Sequence, residues 1–189
     1  IPQYMKEIIT EITHLARKSP EINQRSGVSV RVSIANYETV LSNAIRRAIS
    51  LGEKLAAPRI SDLPYILSST TGKIELDSFE DTKEEKVIDQ LTKKAVQNVF
   101  THYYRVYNWE EMLSRFRQGF SFAVSDMMSA QTYLRNVKAI PGMTEAIKVV
   151  ADSERPEVIA SAVEFILEGL HLNKKLNKEK VQGKTVYRQ

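Results

Sequence analysis

The chain has 189 residues, 42% of them hydrophobic and 26% charged, with a net charge of +4 and no cysteine. That length is enough for one domain or two small ones with a buried core. The missing cysteines exclude disulfides, thiolate metal sites and a cysteine nucleophile, and every apolar run is broken by Lys, Glu or Asp before it could span a bilayer. The lack of cysteine suits a reducing compartment, and a cytoplasmic location is expected.

Periodicity makes the chain almost wholly helical. Tyr4, Ile8, Ile12, Leu15 and Ala16 recur every three or four residues, which predicts an amphipathic helix over residues 3–18. Ser19-Pro20 ends it, because the residue before a proline is pushed out of helical geometry. A second helix is predicted from the Gly27 turn, with Ser29 as N-cap, to about Leu51, stopped by Gly52. Val30, Ile34, Tyr37, Leu41, Ala44, Ile45 and Ala48 read as its buried stripe. At about 100° per residue, Arg31 flanks that stripe instead of lying in it.

Ala57-Pro58-Arg59 reads as a loop, and Ser61 or Asp62 as the cap of a short helix reaching Leu67. Ser68 to Gly72 is a polar break and the natural boundary, and Lys73-Ile74-Glu75-Leu76 alternates like a short extended piece. Further helices are predicted over 82–106, 109–118, 129–137, 142–151 and 156–172, with Phe120 to Val124 as one short strand. The expected fold class is therefore all-α with at most one short strand pair. Residues 173–189 carry a net +5, leaving −1 for the rest, so the basicity is read as a tail and not as the face of a folded domain.

Four constellations carry candidate chemistry. Gly183-Lys184-Thr185 echoes the end of a phosphate-binding loop, but Lys178 stands where the first glycine is required, so no nucleotide hydrolysis is expected of this chain alone. Glu168 and His171, with Glu164 a turn earlier, match one half of a di-iron helical pair; two such pairs and two further glutamates are needed, so a structural histidine is expected. His14 and His102 have no partners at metal-ligand spacing. The run from His102 to Trp109 interleaves aromatics with a cation and could stack bases, but inter-helix packing accounts for it more simply. Arg46-Arg47 reads as a solvated pair on a helix surface.

Arg31 is the exception. A cation in the first turn opposes the helix dipole, and a guanidinium on a rigid helix is suited to grip a phosphate bidentately. Gly27-Val28-Ser29-Val30-Arg31, the Ala- and Arg-containing helix after it, and Pro58-Arg59-Ile60-Ser61-Asp62-Leu63 resemble the small helical lid of an AAA+ ATPase of the magnesium chelatase subunit I and MoxR branch. Asn23 to Arg31, Ala35-Asn36-Tyr37-Glu38, Ser61-Asp62-Leu63-Pro64, Gly72-Lys73-Ile74-Glu75 and Val163-Glu164-Phe165 through Leu167-Glu168-Gly169-Leu170-His171-Leu172 are similar to chelatase-I-like proteins of non-photosynthetic bacteria.

The resemblance implies a lid over 1–75 and a helical extension over 76–189, read as the C-terminal piece of a longer ATPase. It implies that Arg31 is the sensor-two arginine facing the γ-phosphate of ATP, positioned by Gly27 and Ser29, with Arg25 as a second cation nearby. ATP and Mg2+ would sit in the parent's core domain, since the Walker elements are absent. Neighbouring subunits of a ring, and a von Willebrand-type protein, would be the partners. The chain has no feature specific to a porphyrin, and chaperone action on a metal-site protein is equally compatible. The rival reading is a helical DNA-binding module that places Arg46, Arg47 and the lysine-rich tail on phosphates; a stand-alone metalloenzyme is a third.

Overall fold

The computed structural model describes residues 1–25, 27–76 and 83–189. Eight α-helices appear among these residues: α1 (Gln3–Ala16), α2 (Val30–Leu51), α3 (Ile66–Thr70), α4 (Glu84–Tyr103), α5 (Glu110–Arg117), α6 (Ala130–Val137), α7 (Met143–Val150) and α8 (Pro156–Leu172). A 3-10 turn, Ile60–Tyr65, leads into α3. Three strands, β1 (Phe122–Val124), β2 (Asn177–Val181) and β3 (Lys184–Arg188), form an antiparallel sheet in the order β1-β3-β2.

The centre of the molecule is α8. Every residue from Ala160 to Leu170 is buried, Ser161, Glu164 and Glu168 included. A helix buried on all sides needs neighbours all round. Here α1, α4, α6, α7 and the 3-10 turn supply them. Tyr4 of α1 stacks on Phe165 of α8 with ring centroids 4.4 Å apart, and Phe100 of α4 meets the same ring edge-on at 5.8 Å. Gly169 lets α4 come close: a methyl group there would lie 2.0 Å from the Phe100 ring. One continuous core therefore joins residues on both sides of the expected 75/76 boundary. Residues 77–82, which follow that boundary and include the expected start of the helix over 82–106, lie outside the described residues.

Three expectations are corrected. The sheet has three strands, so the chain is mostly helical with a small sheet instead of all-α with at most one strand pair. Residues 173–189 are not a tail. Gln182 (φ 49°) and Gly183 (φ 75°) make a two-residue turn that pairs Asn177–Val181 with Lys184–Arg188. Two successive positive φ angles are the geometry of a tight hairpin, and glycine at the second position supports it. Tyr187 is buried in the ribbon, facing Phe122 across β1 and donating its hydroxyl hydrogen to Glu168 (2.5 Å).

The third correction concerns α2. Its inner face is Val32, Asn36, Val40, Asn43, Ala44, Arg47 and Ala48. Val30, Ile34 and Ile45, expected inside, are exposed. Polar groups turn inward because partners wait there: Asn36 accepts from Ser69 and Thr70, and Asn43 and Arg47 both donate to Asp62. The expected extended piece at 73–76 is reduced to one bridge, Leu76 with Ile22, and a hydrogen bond from Asn23 N–H to the Glu75 carbonyl.

Candidate functional site

The first turn of α2 is held in place from several directions. Gly27 adopts φ 67°, which only glycine does without strain. Arg17, just after α1, donates its Nε hydrogen to the Val28 carbonyl (3.0 Å), and Thr13 and Ser33 share a hydroxyl bond of 2.6 Å between α1 and α2. The Gln24 amide donates to the Ser19 and Ile22 carbonyls, both at 2.9 Å. Ser29 Oγ then accepts the Arg31 N–H at 3.2 Å, as expected of the N-cap.

Arg31 itself is exposed, and no carboxylate pairs with it among the described residues. Arg25 is exposed just before it, with its own N–H on Asn23 Oδ1 (2.9 Å). Arg31 flanks an apolar strip, but that strip faces outward: Val30, Ile34, Ile45 and Ile49 are between 44% and 76% exposed. Four large aliphatics on one helix face, with a free guanidinium at the edge, make a surface suited to contact with another body.

Arg46 and Arg47 separate. Arg46 stays at the surface, where its guanidinium lies 5.4 Å from the Tyr65 ring centre and donates to Asn43 Oδ1 (2.6 Å). Together with Lys73, Ser42 and Glu38 it lines an open groove of about 530 Å³ between α2 and α3, too open to enclose a small molecule. Arg47 is buried and paired with Asp62, with its other nitrogen on the Ala57 carbonyl (2.7 Å). It is neither a solvated cation nor able to reach a phosphate, which corrects both readings given to it from the sequence.

A buried ionic network that spacing does not announce lies behind α2. Asp62 also caps the 3-10 turn by accepting the Arg59 N–H (2.7 Å). The Arg59 side chain is fully buried; it donates to the Met128 carbonyl (2.8 Å) and Glu53 (3.2 Å) and sits 4.9 Å from the Tyr133 ring centre. Glu53 accepts the Ala130 N–H (2.6 Å) at the start of α6. Glu164 of α8 accepts from Tyr133 Oη (2.6 Å) and Ser61 N–H (2.8 Å).

Burial pushes the Glu164 carboxyl above its ordinary pKa, against the opposing pull of Arg59 and its hydrogen bonds. Desolvation raises Tyr133 and Tyr187 well above the usual phenol value, each reinforced by its glutamate. These groups bond to one another and to backbone, not into a cleft, so their arrangement braces α2, α6 and α8. The sequence signal for it is weak: two arginines and three acids scattered between residues 47 and 164.

Glu168 and His171 have structural partners. Glu168 accepts from Lys178 Nζ (2.7 Å) and Tyr187, while His171 Nδ1 lies 3.1 Å from the Leu176 carbonyl. Tyr104 and Trp109 are buried in an aromatic cluster with Phe100. Of the run from His102 to Trp109, Tyr103 and Tyr107 are half-buried against this cluster, while His102, Arg105 and Val106 are exposed. Among the described residues no group of three or more His, Asp and Glu is arranged to hold a metal, and no helix is long and apolar enough to cross a membrane. No protein-family model, curated protein or solved structure matches this chain.

Proposed function

We propose that this chain is the lid and C-terminal extension of an AAA+ ATPase of the magnesium chelatase subunit I and MoxR branch, and that Arg31 reads the terminal phosphate of ATP held by the core domain. The observation that carries the reading is the placement of Arg31: exposed, unpaired among the described residues, and rigidly mounted beside an outward apolar strip. The strip offers the area on which a core domain would dock, and the guanidinium would meet the phosphate at its edge. A guanidinium suits that role because it stays charged and can make two parallel bonds to phosphate oxygens.

ATP and Mg2+ would be held by the core, because Gly183-Lys184-Thr185 forms a hairpin turn and a strand, with no loop of amides to wrap phosphates. Nucleotide turnover would move the lid against the core and, through a ring, against neighbouring subunits or a von Willebrand-type partner.

The test is made in the ATPase that includes this segment. Arg31→Ala should lower ATP turnover by about 100-fold, the scale of losing one preorganised phosphate contact. Its circular dichroism and melting temperature should be unchanged, since the side chain is exposed and has no carboxylate partner among the described residues. Turnover equal to the parent's would remove Arg31 from the mechanism.

A further inference from the structure

The groove between α2 and α3 holds a guanidinium that neutral groups keep in place. Arg46 donates one Nη hydrogen to Asn43 Oδ1 (2.6 Å) and stands 5.4 Å from the Tyr65 ring centre. Asn43 is buried and is itself fixed, its amide donating to Asp62 (2.5 Å). Among the described residues the Arg46 Nε and second Nη have no acceptor, and no carboxylate pairs with the side chain. Holding a long side chain in one geometry costs conformational entropy. Here asparagine and tyrosine offset that cost and leave the charge uncompensated.

We infer that this groove docks an acidic side chain of a partner polypeptide, with its carboxylate forked by Arg46. The spacing of charge selects that occupant. The second cation of the groove, Lys73, donates to the Ser69 carbonyl (2.6 Å), and Ser69 is bonded to Asn36. Asn36 and Arg46 are about 15 Å apart along α2, so the two cations stand at opposite ends, and Glu38 balances the Lys73 end. One guanidinium without a second cation beside it matches the single charge of a carboxylate. A phosphomonoester or a nucleic-acid backbone carries more charge than the site meets. The open shape admits a chain segment, and arginine with tyrosine is the pairing enriched where protein interfaces bind most strongly. Arg46 lies about 22 Å along the helix from Arg31, and the proposal does not rest on the ATPase reading.

NMR of the isotope-labelled full chain tests it, with a blocked peptide Ala-Leu-Glu-Leu-Ala and its glutamine counterpart each added to about 10 mM, enough to detect a millimolar complex. The glutamate peptide should shift the Arg46 Nε–H signal and the Ser42 and Ser68 amides until they saturate; the glutamine peptide should not. Arg46→Gln should weaken binding about tenfold or more, the scale of losing a charged hydrogen bond. Arg46→Lys, which keeps the charge without the fork, should fall between. Ser42→Glu places a carboxylate one turn before Arg46, where it pairs with the guanidinium from within the chain. That variant should also bind the peptide about tenfold more weakly while melting no lower than the parent. No shift at Arg46, an equal response to both peptides, or an unchanged affinity in Ser42→Glu would overturn the proposal. So would inorganic phosphate acting on Arg46 at a lower concentration than the glutamate peptide, which would assign the groove to phosphate.

Discussion

Three hydrogen bonds converge on the Asp62 carboxylate. It neutralises Arg47, receives the Asn43 amide and caps the 3-10 turn through the Arg59 N–H. Truncating one member of a buried pair leaves the other charge without compensation, which costs about 3–5 kcal/mol. Asp62→Ala should therefore lower stability by about that amount in urea denaturation. A loss below about 1 kcal/mol would mean that Arg47 reaches water when its partner is gone. Arg31 stands at the other extreme. Its N-cap was legible, because a serine one residue before a helix is a local signal; its lack of a partner was not, since partners are set by the fold.

Among the elements, α8 owes its position to one missing side chain. Alanine is normally better than glycine inside a helix by about 1 kcal/mol, so Gly169→Ala would ordinarily stabilise. Here the added methyl meets the Phe100 ring at 2.0 Å. The sign should reverse, with a cost of about 1–3 kcal/mol in chemical denaturation. Combining Gly169→Ala with Phe100→Leu should recover part of the loss, and a coupling near zero between the two would show that α4 and α8 do not meet there.

For α2, its ends were readable from Ser29 and Gly52 but its orientation was not. The rule that apolar faces turn inward gave Val30, Ile34 and Ile45 to the core. In the fold, Asn36, Asn43 and Arg47 take that place because distant residues bond to the Asn36 oxygen, the Asn43 amide and the two terminal nitrogens of Arg47. The hairpin was missed for a similar reason: lysines dominate its composition, and their charge concealed the turn at Gln182-Gly183 and the β-formers Val186 and Tyr187.

For the whole molecule, the decisive feature is the continuity of the core. The division into residues 1–75 and 76–189 rests on a polar break and on resemblance, whereas Tyr4, Met5, Ile8 and Ile12 of α1 belong to one buried cluster with Phe100 and Phe165. A fragment of residues 1–75 should therefore expose that face, bind a hydrophobic dye and unfold without a sharp transition, while the full chain unfolds in one step. A sharp, independent transition for the fragment would restore two separately folding domains.

The amino-acid order alone placed α1, α2, α5, α6, α7 and α8 to within about two residues, since caps, prolines and 3.6-residue periodicity are local effects, but it put a break at Ser68 where α3 runs on to Thr70. It also located the excess positive charge and singled out Arg31. The tertiary structure decided which face of α2 is inside, that Arg47 is buried while Arg46 is not, and that the basic end is a ribbon anchored on Glu168. Those outcomes depend on hydrogen bonds and packing between residues far apart in the chain, whose free energies no local pattern contains.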